Sequence, residues 1–145
     1  MMKRILLSVI VVFVTWTLMD FVLHGLILAT AYQETASLWR PMDEMKHGLM
    51  WLSELVAAAG FVVIYGGLIR QRSVASGLKY GLLFGVAGGA PMGFGTYSVM
   101  PISLFLAVAW FLGAVVEGAV GGMLVGWLVK GSPAPPANPG LVQNP

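Results

Sequence analysis

Four stretches of this chain are at least 20 residues long and mostly apolar, and they decide the solvent in which it folds. They run from Ile5 to about Ala31, from about Gly48 to Ile69, from Gly77 to about Met100 and from Ile102 to Val129. A helix needs about 20 apolar residues to cross the hydrocarbon core of a bilayer. Inside that core every backbone N–H and C=O must be paired within the protein, which leaves helices as the spanning form for runs of this length. The sequence therefore predicts an all-α polytopic membrane protein with four transmembrane helices in residues 1–130. Residues 131–145 hold five of the eight prolines and no charge, and are expected to form a disordered tail.

Composition supports this reading. Hydrophobic residues make up 58% of the chain and charged residues 10%, against about 45–50% apolar and about 25% charged in soluble domains. A water-soluble domain and a collagen-like chain are excluded. The net charge of +2 comes from eight dispersed cations and six acids, with no basic patch dense enough to read phosphate, so no nucleic-acid partner is expected. The absence of cysteine excludes disulfides, thiolate metal sites, iron–sulfur clusters and a Cys nucleophile.

Boundary chemistry fits four spans. Pro41, Asp43 and Glu44 suit the first turn of the second span, where proline loses no hydrogen bond and acids oppose the helix dipole. Ser76 is expected to cap the third span, and Lys130–Gly131 to end the fourth. With the N-terminus in the cytoplasm, Lys3, Arg4, Arg70, Arg72, Lys79 and Lys130 lie inside, and Arg40 and Lys46 outside. That imbalance predicts an N-in/C-in topology in the cell inner membrane. Tyr32, Trp39, Trp51 and Tyr97 then fall near the outer interface, and Tyr80 and Trp127 near the inner one. Met1–Arg4 followed by an apolar run, with Ala29-Thr30-Ala31 downstream, also resembles a cleavable signal peptide. The apolar run is about twice the usual length, and Asp20 and His24 would precede the cut, so the first span is read as retained.

Small residues recur at helical spacing. Gly77, Gly81, Gly85, Gly89 and Gly93 stand four apart in the third span, and Ala114, Gly118, Gly122 and Gly126 in the fourth. Residues at i and i+4 share a face, so each helix presents a smooth groove through which backbones can approach in lipid. The expectation is packing of these two spans within one chain. The alternative is a glycine zipper between subunits of a homo-oligomer or a larger membrane complex.

The acids carry the functional signal. None lies on the predicted cytoplasmic side. Glu34, Asp43, Glu44 and His47 lie in or beside the first outer loop, whereas Asp20 and His24 (first span), Glu54 (second) and Glu117 (fourth) lie within the membrane. Ionisable residues inside a bilayer are costly and face the bundle interior, so each is a candidate site residue. At about 1.5 Å per residue, Glu54 lies roughly 9 Å below the outer helix ends, His24 roughly 10 Å, Asp20 roughly 16 Å and Glu117 roughly 22 Å. Pro91, within Gly88–Gly93, lies roughly 14 Å down and marks a kink or break. Thr17, Asp20 and His24 share one face at i, i+3 and i+7, as do His47, Trp51 and Glu54. The two histidines are thus expected to meet near the outer surface, above Asp20 and Glu54.

The run Met19-Asp20-x-x-x-His24-Gly25-Leu26 recurs as Met42-Asp43-x-x-x-His47-Gly48-Leu49. Asp and His at i and i+4 can hold one metal ion from a single helix face, so His24, His47, Asp20 and Asp43 form a candidate ligand set for a divalent metal, with haem ligation through the histidines as a variant. No zincin, nucleophile-elbow, phosphate-loop or dinucleotide motif is present. The general form resembles small polytopic bacterial inner-membrane proteins, and Tyr32-x-x-Thr35-Ala36-x-Leu38-Trp39-Arg40-Pro41 has the density of a signature.

Three functions follow as expectations. The first is transport of a cation, proton or small solute, or an accessory role in it, through a site of Thr17, Asp20, His24, Glu54 and Glu117 open to the outside. The second is a metal- or haem-binding membrane subunit. The third is a structural subunit in which the acids act as internal glue. Enzymatic chemistry is the least supported.

Overall fold

The structure, a computed structural model, describes residues 2–129, and these are helical and connecting segments with no strand among them. The predicted tail and the expected helix end at Lys130–Gly131 lie outside the described residues. Three helices are long and apolar enough to cross a membrane: Met2–Ile27, His47–Leu68 and Leu104–Leu128. The segment expected as the third of four spans is helical too, but its α-helix, Val74–Ala90, is 17 residues long and rich in glycine, and it is not one of these three.

Helix α1 (Met2–Asp20) runs directly into a π-helical segment, Phe21–Ile27. The wider winding ends where the Leu28 N–H reaches back five residues to the Leu23 carbonyl at 2.9 Å. Short helix α2 (Ala29–Glu34) and 3₁₀ turns at Ala36–Leu38 and Met42–Glu44 lead to α3 (His47–Leu68). Asp43 and Glu44 therefore belong to a separate turn and not to the start of α3. Met45 is extended (φ −63°, ψ 135°) and breaks the helical path between them.

Helix α4 (Val74–Ala90) is capped by Ser73, three residues earlier than expected. The Ser73 hydroxyl accepts the Ser76 N–H at 3.1 Å, and the Ser76 hydroxyl accepts the Ser73 N–H at 2.9 Å. This reciprocal pair satisfies two donors that the first helical turn leaves unpaired. Beyond Ala90 the chain is not broken at Pro91. It continues as a π-helical turn, Pro91–Gly95, into α5 (Thr96–Val99). Proline supplies no N–H, and the Thr96 N–H instead reaches the Pro91 carbonyl five residues back. Ser103 then caps α6 (Leu104–Leu128) by accepting the Leu106 N–H at 3.2 Å.

Helices α4 and α6 form the most extensive helix pair. A methyl group built on Gly77, Gly81, Gly85 or Gly93 would overlap the carbonyl oxygen of Gly122, Gly118, Ala114 or Ala107 respectively. Gly118, Gly122 and Gly126 face the carbonyls of Gly81, Gly77 and Ser73 in return, and Gly89 packs on Ala114 and Phe111. At these positions the two backbones are in van der Waals contact. Helix α3 meets α4 through large rings instead: Phe61 packs on Tyr80 and Phe84, and the Tyr80 hydroxyl donates to the Phe61 carbonyl at 2.8 Å.

Two apolar cores result. One gathers Val12, Trp16, Phe61, Val62, Tyr65, Val125 and Val129. The other gathers Leu28, Ile102, Leu106, Ala107 and Trp110. Between them, in chain order along α1 and α6, fall Asp20 and Glu117. The outward faces carry exposed apolar residues such as Leu6, Ile10, Leu18, Val56, Leu83 and Val116, the surface a helix needs against lipid chains.

Candidate functional site

The polar residues of the site come from three helices: Thr17 and Asp20 from α1, Glu54 from α3 and Glu117 from α6. Thr17, on α1, returns one hydrogen bond to the Phe13 carbonyl four residues back at 2.9 Å, as hydroxyls on apolar helices commonly do. Its hydroxyl also lies 2.9 Å from Glu54 Oε1, tying α1 to α3. Since one hydroxyl carries one proton, the two contacts share it.

One turn further along α1, Asp20 occupies the end of the α-helical winding. Its Oδ1 lies 3.5 Å from His24 Nε2, an ion-pair spacing at i, i+4. On α6, which packs against α1, the Glu117 carboxyl is near enough to feel the charges of Asp20 and Glu54. Asp20 is thus paired with His24 and acts electrostatically on both Glu117 and Glu54, the last of these held by Thr17. Among the described residues no Lys or Arg pairs with these three carboxyls. Glu117 also lines a groove of about 590 Å³ between α1 and α6, whose other walls include Leu18, Val22, Leu112 and Val116.

The approach of α1 to α6 has a local cause. Trp16 donates its indole N–H to the Glu117 backbone carbonyl at 2.8 Å. The ring lies over Gly121, where a methyl group would stand 2.9 Å from the indole nitrogen. A side chain at 121 would push the indole away, and α1 with it. Glycine at this position therefore serves the site, one turn from Glu117.

The structure does not bring the two histidines together. His47 is exposed at the first residue of α3 and has no hydrogen bond or ring contact with His24. Asp43 is exposed in its separate turn. The four-residue set of Asp20, His24, Asp43 and His47 is not assembled, and among the described residues no group of three or more His, Asp or Glu side chains is placed to hold a metal ion. The reason is the connection between α2 and α3, which carries the second Asp–His pair away from the first.

His24 has a different partner. Its Nδ1 lies 2.5 Å from the Tyr32 hydroxyl, and the rings stack with centroids 5.8 Å apart. Trp110, on α6, donates its indole N–H to the same hydroxyl at 2.7 Å. Trp39 closes the cluster edge-on to both rings and donates to Thr35 Oγ1 at 2.9 Å. Burial pushes the Tyr32 hydroxyl above its ordinary 10.0; the Trp110 N–H opposes this and the nearby Asp20 charge adds to it.

Tyr32 is expected from the sequence only as an interfacial aromatic, and Trp110, inside an apolar span, carries no expected role there. The available signal was the density of polar and aromatic residues between Tyr32 and Trp39, which build this cluster. No family model, no curated protein and no solved structure matches the chain.

Proposed function

We propose that this chain is a four-span inner-membrane protein, N-in and C-in, whose carboxyl cluster binds and exchanges a proton or small cation reaching it from the outer side. The observation that carries the reading is the convergence of α1, α3 and α6 around Asp20: Thr17 ties α1 to Glu54 of α3 at 2.9 Å, and Trp16 ties it to Glu117 of α6 at 2.8 Å, so that three acids share one region. Carboxylates this close repel, and in a medium of low dielectric the repulsion is removed by a proton or cation held between them. No Lys or Arg among the described residues supplies the missing charge. The site is therefore suited to a mobile positive charge. Intramembrane acids of this kind mark ion and proton pathways.

The excess of Lys and Arg at the predicted inner ends supports the orientation. The helix from Val74 to Val99 supplies the third of the four spans, and the glycine stripes of α4 and α6 hold the two final spans together. Transport, or an accessory part in it, is the process this site serves.

The test is proton movement in proteoliposomes of the full chain, read by an internal pH dye under an imposed Na⁺ or K⁺ gradient. Wild-type vesicles should change internal pH, and Asp20→Asn and Glu117→Gln vesicles should not, with all three proteins equally folded. Wild-type flux equal to that of empty vesicles overturns the proposal.

A further inference from the structure

The hydrogen bonds around Tyr32 fix more than its position. An indole N–H can only donate, so Trp110 occupies an acceptor lone pair on the Tyr32 oxygen. The phenol has one proton of its own. The neighbouring atom that can take it is His24 Nδ1, at 2.5 Å. A neutral imidazole carries one N–H and one bare nitrogen. If Tyr32 donates to Nδ1, the imidazole proton must be on Nε2, the nitrogen that faces Asp20 at 3.5 Å.

We infer that Tyr32, held by Trp110, sets the tautomer of His24 and thereby makes His24 Nε2–H the outer-side proton donor to the Asp20–Glu117 pair. The inference rests on the proton- or cation-binding reading above. Tyr32 and Trp110 are positioning residues here; His24 carries the proton.

The step balances simply. The Nε2–H bond breaks as an Asp20 O–H forms, while Nδ1 receives the Tyr32 proton and the phenol oxygen regains one from the aqueous side. The 3.5 Å spacing must contract for transfer, which the i, i+4 geometry permits by side-chain rotation.

Protonation of His24 has a definite consequence. Both ring nitrogens then donate, Tyr32 receives donors from His24 and Trp110 together, and its own proton must turn elsewhere. The groups around His24 are Asp20 on its own helix, Tyr32 on α2 and Trp110 of α6 behind it, while Glu117 of α6 and Glu54 of α3 face Asp20. No Lys or Arg among the described residues pairs with any of these acids.

The experiment is solid-state NMR of full-length protein in lipid vesicles with ¹⁵N-labelled histidine, the two histidines being assigned with His47→Gln. Neutral His24 should show a bare Nδ1 and a protonated Nε2. Tyr32→Phe keeps the ring but removes the donor, and should convert this single tautomer into a mixture or its reverse. A wild-type Nδ1–H tautomer overturns the inference, and so does an unchanged tautomer in a folded Tyr32→Phe protein. The wild-type spectrum decides the assignment even if the variant does not fold.

Proton flux in the same vesicles separates the two proposals. Flux should fall in Tyr32→Phe and in His24→Gln, and the double variant should be no slower than His24→Gln alone. Additive losses overturn the donor role. Normal wild-type flux with the Nδ1–H tautomer leaves the proposed function standing and removes this inference. The Nε2–H tautomer without flux removes the proposed function and the donor role together.

Discussion

Trp16 and Glu117 are joined by a hydrogen bond of 2.8 Å from an indole N–H to a backbone carbonyl, across the contact of α1 and α6. Because the carbonyl belongs to Glu117 itself, the bond that docks α1 is made at the residue that brings an acid to this contact. Trp16 is nearly buried and packs edge-on against Phe61. Trp16→Phe keeps most of that packing and removes the donor, so a loss of about 1 kcal/mol is expected. Denaturant unfolding in micelles checks the magnitude, and an unchanged midpoint argues against the docking role.

The glycines of α4 separate into two classes by what surrounds them. Gly81 faces the Gly118 backbone, where a methyl group does not fit, whereas Gly88 has open space beside it. Gly81→Ala should destabilise by about 1–3 kcal/mol through overpacking. Gly88→Ala should stabilise by up to about 1 kcal/mol, because alanine is the better helix former. Thermal unfolding of the two variants should move in opposite directions.

Thr17 and Glu54 link α1 to α3 by a single hydroxyl–carboxyl bond of 2.9 Å. Thr17→Val and Glu54→Leu should each destabilise the α1–α3 contact, and the double variant should cost less than the sum. A coupling of about 1 kcal/mol is expected from a double-mutant cycle. Strict additivity would mean that the bond contributes nothing to stability.

Tyr32 gives a pH dependence at the alkaline end. Burial raises its hydroxyl above the ordinary 10.0, so the folded protein holds a proton that the unfolded chain releases. Stability from this group is fully present below pH 10.0 and is lost as pH rises through the higher folded-state value. Unfolding midpoints from pH 9 to pH 12 should fall more steeply in wild type than in Tyr32→Phe, about in line with one proton. Parallel curves would remove Tyr32 as the source.

The helices are legible in the sequence because their cause is local: run length and apolarity fix Met2–Ile27, His47–Leu68 and Leu104–Leu128. The depth arithmetic spreads Glu54, Asp20 and Glu117 over roughly 9, 16 and 22 Å, and their approach follows from the packing of α1 against both α3 and α6, which helical rise alone does not encode. The partner of His24 is not legible. Tyr32 lies eight residues on, beyond a π-helical segment that ends at Ile27, and no periodicity encodes that change of winding. The pairing expected between His24 and His47 fails for the same reason. It assumes that α3 starts level with α1, whereas two 3₁₀ turns and the extended Met45 intervene. Gly121 reads in sequence as one more small residue, and its contact with Trp16 follows only from the crossing of α1 and α6.

The claim on which the account depends is that Asp20 and Glu117 hold one exchangeable positive charge between them. Difference infrared spectroscopy of the full chain in lipid, in H₂O and D₂O without added cation, addresses it directly. The account predicts a protonated-carboxyl band that shifts on deuteration, disappears in both Asp20→Asn and Glu117→Gln, and weakens when the bound cation replaces the proton. A band that survives either substitution unchanged, or no such band at any pH at which the protein is folded, would contradict it.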